Sequence, residues 1–167
     1  MNQLLQQAIE YATKKHAGQQ YDGEPYTKHL RWVASVAERF GSTDPEILAT
    51  CWLHDTVEDT DATVDEIRVH FGDRVCNLVS LLTDQPGRNR RERHEKTYGG
   101  IKASADATFV KLCDRIANVE ASVALKDKPS FLSMYQKEWE DFKRLLRTPG
   151  THDNMWQHLA TLLNRAL

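Results

Sequence analysis

His29, the adjacent pair His54-Asp55 and Asp114 bring together two imidazoles and two carboxylates, the residue types best suited to chemistry in this chain. A mixed nitrogen and oxygen set suits Mn²⁺, Fe²⁺, Zn²⁺ or Mg²⁺ rather than a soft metal that prefers thiolates. A cation held this way acidifies a water and stabilises charge on a phosphoryl oxygen, so the set points to phosphohydrolysis. His54 and Asp55 end the apolar run Ile47-Leu48-Ala49-Thr50-Cys51-Trp52-Leu53. If the helix continues past them, His54 shares a face with Glu58 and Asp55 with Asp59, each four residues on. That crowding of negative charge at one helix end is costly alone and is resolved by a bound cation.

Asp114 lies among the apolar residues of Phe109-Val110-Lys111-Leu112-Cys113-Asp114-Arg115-Ile116-Ala117-Asn118, where a buried carboxylate needs a partner. Either a metal or the neighbouring Arg115 answers that need. Asn118, one turn later, shares the Asp114 face and can meet a ligand bound at the metal. Taken singly, each residue fits an ordinary structural role: a satisfied or exposed histidine for His29, an ion pair with Arg115 for Asp114. The four together, with their flanking sequence, indicate a metal site. The other histidines have no comparable context, His16 excepted.

The elements that must position these groups are helical. Apolar residues recur at helical spacing almost throughout the 167 residues, and no strand pattern stands out. Leu4, Leu5, Ala8, Ile9 and Ala12 mark a first helix ending near Gly18. Pro25 suits the first position of a second helix, which carries His29 and stops at Phe40-Gly41. Thr43 or Asp44 with Pro45 opens a third, running to His54-Asp55. Thr63-Val64-Asp65-Glu66 reads as a capping box for a fourth, which Gly72 breaks before a fifth continues through Leu82. Helices are expected again from near Glu95, from Ala107 to Leu125, from Ser130 to Leu146, and from His152 to Ala166. The expected fold is all-α, a compact bundle of roughly eight to nine helices forming a single domain over 1–167.

Composition sets bounds. Hydrophobic content of 40% with 28% charged residues fits a globular chain. A net charge of −2 gives no general attraction to nucleic acid or anionic membrane. No apolar run reaches the roughly 18 residues of a membrane span, and the amino terminus lacks the features of a secretory signal. Cys51, Cys76 and Cys113 are too few and scattered for a disulfide framework, which suggests buried free thiols in a reducing cytoplasm.

Several segments resemble the hydrolase domain of the RelA/SpoT family, within the HD-domain superfamily. They are Ala12-Thr13-Lys14-Lys15-His16-Ala17-Gly18-Gln19, Gly23-Glu24-Pro25-Tyr26-Thr27-Lys28-His29, Leu53-His54-Asp55-Thr56-Val57-Glu58-Asp59-Thr60, and Val110 to Asn118. The resemblance spans nearly the whole chain and is most specific at His-Asp-x-x-Glu-Asp-Thr. It implies an HD-type bundle and a Mn²⁺-dependent 3′-pyrophosphohydrolase of (p)ppGpp that yields GDP or GTP and pyrophosphate. It implies that His29, His54, Asp55 and Asp114 hold the metal and that Glu58 and Asp59 are the catalytic acidic pair. Asn118 matches a nucleotide-contacting position, and Tyr135 matches a tyrosine that contacts substrate. The turn Gln20-Tyr21-Asp22 departs from the basic residues usual there. Tyr21 offers a stacking face instead, and an adenine alarmone, (p)ppApp, stays open beside the guanine one. Leu30 stands where a proline commonly follows the metal histidine.

The segment Gly87 to Lys96 is locally basic, and either leads into a helix as a solvated loop or forms a phosphate-binding rim that includes Lys96. It has no interleaved aromatics to support RNA binding. Trp32, Trp52, Trp139 and Trp156 fall at apolar helical positions and are expected in the core. Two rivals remain: another HD nucleotide hydrolase such as a phosphomonoesterase, and a catalytically silent nucleotide-binding regulator.

Overall fold

The computed structural model describes residues 2–124 and 129–167. They form helices α1 (Gln3–Lys15), α2 (Thr27–Arg39), α3 (Pro45–Leu53), α4 (Thr56–Asp59), α5 (Val64–Leu82), α6 (Arg90–Lys102), α7 (Ala105–Ala124), α8 (Pro129–Leu146) and α9 (Asp153–Leu163). The all-α expectation holds, with one addition: strands β1 (Gln20–Tyr21) and β2 (Glu24–Pro25) form an antiparallel hairpin. Asp22 and Gly23 close it, both with positive φ, 51° and 80°, as a tight hairpin turn demands. Two-residue strands are too short to show an alternating pattern, so periodicity does not reveal them. Pro25 therefore ends a strand instead of opening α2, a place where its missing N–H is no loss.

The local signals explain most boundaries. Asp44 caps α3 through Glu46 N–H at 2.9 Å, with Pro45 at the first position. Thr63 and Glu66 complete the capping box at the start of α5. Gly72, at φ 85°, breaks the helical path inside α5 at the expected place. Gly41, at φ 92°, terminates α2 with the paired bonds Gly41 N–H to Glu38 and Ser42 N–H to Ala37. By contrast, α6 begins at Arg90, five residues before the expected start near Glu95. Asn89 caps it through Glu92 N–H at 3.0 Å, and its first turns are polar and solvent-facing, so they carry no hydrophobic rhythm. The last residue expected in α7, Leu125, lies outside the described residues.

The core is a continuous apolar cluster running from Ala8 on α1 to Leu163 on α9. α2 packs on α3 and α7, and α8 packs on α6 and α7. α7 is the central element, buried over much of its circumference. Trp52, Trp139 and Trp156 are in the core. Trp32 is half-buried and donates to Glu120 at 3.0 Å. Among the described residues no helix is long and apolar enough to cross a membrane.

Arg74 on α5 ties the starts of α3 and α7 together, reaching Asp44 at 2.7 Å, Glu46 at 2.8 Å and Asp106 at 2.9 Å. These groups are partly exposed, so solvent screens them, and each pair alone is worth under about 1 kcal/mol. Arg74→Ala also leaves three carboxylates facing one another. The expected loss is about 1–2 kcal/mol, read as a lower urea midpoint, and the difference should shrink in high salt.

Candidate metal centre and the cleft beside it

Each candidate ligand comes from a different structural device. His29 is in the first turns of α2, directly after the hairpin. His54 terminates α3, and Asp55 begins α4. Asp114 projects from the middle of α7. The helix does not run on through His54-Asp55: Asp55 has φ −98° and ψ −2°, and the chain turns there. Asp55 and Asp59 keep their helical relation, the Asp59 N–H donating to the Asp55 carbonyl at 2.9 Å, whereas His54 ends the preceding helix. His54 points into the core, while Glu58 and Asp59 stand on a separate short helix.

The four groups converge. His54 Nε2 lies 2.9 Å from Asp55 Oδ2 and 3.8 Å from Asp114 Oδ1. His29 Nε2 lies 3.8 Å from Asp55 Oδ2 and 3.5 Å from Asp114 Oδ1. Donors that share one ion at about 2.1 Å each are spaced roughly 3 Å apart, so these distances suit a small divalent cation. Among the described residues, His29, His54 and Asp55 offer ligand atoms all within 4.8 Å of one another.

The chemistry of the donor set fits as well. His54 Nδ1 lies 2.9 Å from the Cys51 carbonyl. An N–H there must donate to the carbonyl, which leaves the Nε2 lone pair for a metal. Nε2 is buried and makes no hydrogen bond, its contact with Asp55 being close but poorly aligned. A buried polar atom without a partner is rare in a folded protein, and a cation at this point removes the anomaly. Cys51 serves the site through its backbone, and all three cysteines are buried free thiols.

Electrostatics point the same way. Burial opposes charge on Asp55, but the His54 charge holds its carboxyl well below the usual carboxylate range. Burial likewise opposes charge on Asp114, yet Lys111 and the two imidazoles hold it far down. Burial lowers His54, and the charges of Asp55 and Asp114 override it and raise the imidazole to about 9, so these carboxylates draw a positive charge to Nε2, and a bound cation takes the place of that proton. Two carboxylates are thus kept ionised side by side despite their mutual repulsion.

Asp114 takes its cation from Lys111, at 3.0 Å, rather than from Arg115. Adjacent helical residues point about 100° apart, and Arg115 faces α8. There it pairs with Glu138 at 2.8 Å and lies over the rings of Tyr135 and Phe142.

A second ring of side chains fixes the ligands. Tyr26 donates to Asp55 Oδ2 at 2.5 Å. Asn118 donates to Asp114 Oδ1 at 2.5 Å and accepts from the Tyr21 hydroxyl at 2.7 Å. The Tyr21 ring stacks on His29, with centroids 4.9 Å apart. Sequence reasoning did not single out Tyr26; its place in the Gly-Glu-Pro-Tyr segment just before His29 is the signal that was available.

A polar cleft of about 220 Å³ opens beside the ligands. Glu58 and Asp84 form one side, and Arg90, His94, Lys111 and Arg115 supply positive or titratable groups on its walls. Asp84, Arg90, His94 and Lys111 were not chosen as site residues, because each lies in a polar stretch or helix whose direction the sequence leaves open. Tyr21, Asn118 and Tyr135 line the cleft and also a neighbouring groove of about 380 Å³. Lys96 is not brought to the cleft. Its ammonium donates to the Pro86 carbonyl at 2.8 Å and pairs with Glu92 at 3.1 Å, so Arg90 and His94 are the residues of that segment that reach the wall.

Glu58 sits at the cleft rim, where its carboxylate accepts the Asp84 backbone N–H at 2.9 Å. Crowding around the carboxyl, with the charges of Asp84 and Asp55, pushes it above the ordinary glutamate value, against that hydrogen bond. A carboxylate of raised basicity beside a metal site is placed to accept a proton. Asp59 is turned to Gln19, whose amide donates to it at 3.3 Å; Gln19 in turn meets His16 Nδ1 at 2.6 Å.

Comparison with known proteins agrees with this geometry. The HD domain profile matches residues 8–136. The human guanosine-3′,5′-bis(diphosphate) 3′-pyrophosphohydrolase MESH1 is 38% identical over 122 residues, 70% of this chain and 68% of that protein. A guanosine-3′,5′-bis(diphosphate) 3′-pyrophosphohydrolase of Aquifex aeolicus is 37% identical over 121 residues, which is 17% of its length. A solved metazoan orthologue of SpoT, described as hydrolysing ppGpp, superposes with a TM-score of 0.83 over 98% of this chain and 96% of its own, at 26% identity. With matching helices, a matching profile and a converged His-His-Asp-Asp centre, the chain belongs to the HD-domain family, among relatives of the MESH1 and SpoT type.

Proposed function

We propose that this protein is a divalent-metal-dependent 3′-pyrophosphohydrolase of alarmone nucleotides, (p)ppGpp or (p)ppApp, with Mn²⁺ as the working ion. The observation that carries the reading is the polar cleft where His29, Asp55 and Asp114, with His54 buried behind Asp55, meet a basic-shifted glutamate and a cationic wall. When bound, the cation supplies Lewis-acid polarisation of phosphoryl oxygen and favours ionisation of the attacking water.

The chain's own residues do the rest. His29, His54, Asp55 and Asp114 hold the ion, with Tyr26, Asn118 and Lys111 fixing the carboxylates. Glu58 accepts the proton of the attacking water, and Asp59, held by Gln19, adds negative charge beside it. The water oxygen bonds to the first phosphorus as the bond from that phosphorus to the 3′ oxygen breaks, and the leaving 3′ oxygen is protonated from solvent, to which Glu58 returns the proton it took. The nucleoside occupies the groove between Tyr21 and Tyr135, next to Asn118. Arg90, Lys111 and Arg115 neutralise the phosphates. No basic residue of the hairpin turn faces that groove, so the base is recognised through aromatic and polar contacts rather than a stacked cation. The three free thiols support a reducing compartment, the cytoplasm.

The test is Mn²⁺-dependent pyrophosphate release from ppGpp and ppApp, beside simple nucleotide monophosphates. Pyrophosphate from either alarmone is the expected result, and the ratio identifies the preferred base. Orthophosphate from monophosphates alone would move the protein to the phosphomonoesterase branch. Metal binding without turnover of any nucleotide would make it a silent regulator.

A further inference from the structure

His94 stands in the wall shared by the metal-side cleft and a second cavity of about 170 Å³ between α6 and α8. Its ring is fixed in plane by stacking on Tyr98, with centroids 4.6 Å apart and planes 15° from parallel. Yet its ring nitrogens make no hydrogen bond among the described residues. A half-buried imidazole held rigidly and left without polar partners is placed to meet something that enters the cleft.

The charges around it define what that is. From α6 comes Arg90, and Arg91 borders the second cavity. From α7 come Lys111 and Arg115. From α8 come Glu138, which pairs with both Arg90 and Arg115, and Asp141, which is engaged by Arg144 at 2.9 Å. Glu58 and Asp84 also line the cleft. One glutamate thus serves two arginines, and the Lys111 charge is shared with Asp114, while Arg91 is held by Glu95, so the cations that act on His94 are Arg90, Arg115 and Lys111. Burial first, then Arg90, Arg115 and Lys111, push the imidazole down to about 3. An anion that enters and neutralises those cations reverses that push.

We propose that His94, with Arg90 and Lys111, forms the subsite for the terminal phosphate of the scissile diphosphate, and that its imidazole takes up a proton as that phosphate arrives. The proposal rests on the reading of the protein as a pyrophosphohydrolase and deepens it. A subsite one phosphate beyond the metal gives a physical reason for releasing pyrophosphate instead of orthophosphate. The imidazolium then donates a charge-assisted hydrogen bond to the phosphate, and loses its proton when the product departs.

The experiment is a ¹⁵N-histidine NMR titration of the Mg²⁺-loaded protein, with and without saturating inorganic pyrophosphate. Mg²⁺ is diamagnetic and keeps the signals sharp. His94 is expected to stay neutral down to pH 5 in the free protein and to rise by at least about one pH unit with pyrophosphate. Orthophosphate is expected to move it less. An unchanged His94 under saturating pyrophosphate would overturn the proposal. His94→Gln is expected to raise KM for the alarmone about tenfold with metal content unchanged, and an unaltered KM would count equally against it. The two readings fail separately. A protein that hydrolyses no alarmone but shows the pyrophosphate-dependent shift keeps the subsite and loses the activity. One that hydrolyses alarmone with His94 unmoved keeps the activity and loses the subsite.

Discussion

Asp55→Ala and Asp114→Ala are each expected to empty the metal centre and lower pyrophosphate release by at least about 10³-fold, the equivalent of roughly 4 kcal/mol of lost charge stabilisation. Each removes one of the two carboxylates that face His29 and His54. Their effects on folding should differ. Asp55→Ala relieves the repulsion between the two carboxylates but leaves the Tyr26 hydroxyl and the facing His54 imidazole without that partner. Asp114→Ala leaves the Lys111 ammonium, which is largely but not wholly buried, without its counter-charge. Loss of one partner of a buried pair costs about 3–5 kcal/mol, so this variant should be the less stable of the two. Asp114→Asn keeps the shape and separates the loss of metal from the loss of fold. Metal content by mass spectrometry and thermal melting by circular dichroism read the two effects independently. An Asp55→Ala protein that retained both metal and turnover would refute the assignment.

Glu58→Gln is expected to lower kcat by about 10²–10⁴-fold, the usual worth of a general base, with metal still bound. The pH profile supplies a second readout. The Glu58 carboxyl lies above its ordinary value because burial and the charges of Asp84 and Asp55 disfavour the anion. Turnover needs the deprotonated form, so activity should climb as pH rises through that shifted value and fall on the acid side. The glutamine variant should lose this limb. The sign for stability is opposite. A carboxyl whose pKa is raised in the folded state helps folding at pH values below its unfolded pKa and loses that contribution as pH rises through the folded one. At neutral pH the anion is therefore a liability to the fold, and Glu58→Gln should melt no lower than the parent. Replacing both Glu58 and Asp59 should lower turnover while metal remains; full activity in that double variant would remove the proposed mechanism.

What was legible from sequence was of two kinds. Local signals act over a few residues and survive in any context: the Asp44-Pro45 start, the Thr63–Glu66 capping box, the Gly41 and Gly72 breaks. The short segments around His29, His54-Asp55 and Asp114 carried the metal set, because motif residues can be read without knowing where the chain goes. The hydrophobic rhythm of most helices was equally readable, since their burial is one-sided.

Tertiary structure decided what depends on direction. The turn at Asp55 sends Glu58 to the cleft rim and Asp59 toward Gln19, a divergence hidden in four consecutive letters of spacing. Lys111 rather than Arg115 pairs with Asp114, because α8 packs against the face of α7 that carries Arg115 and claims it through Glu138. Arg90 and His94, not Lys96, face the cleft beside the candidate ligands, because packing against α8 sets the rotation of a helix whose polar sequence sets none. The identities of the candidate metal-binding and acidic groups are local and written in the chain. Which of its many charged side chains reach them is set by how the helices pack.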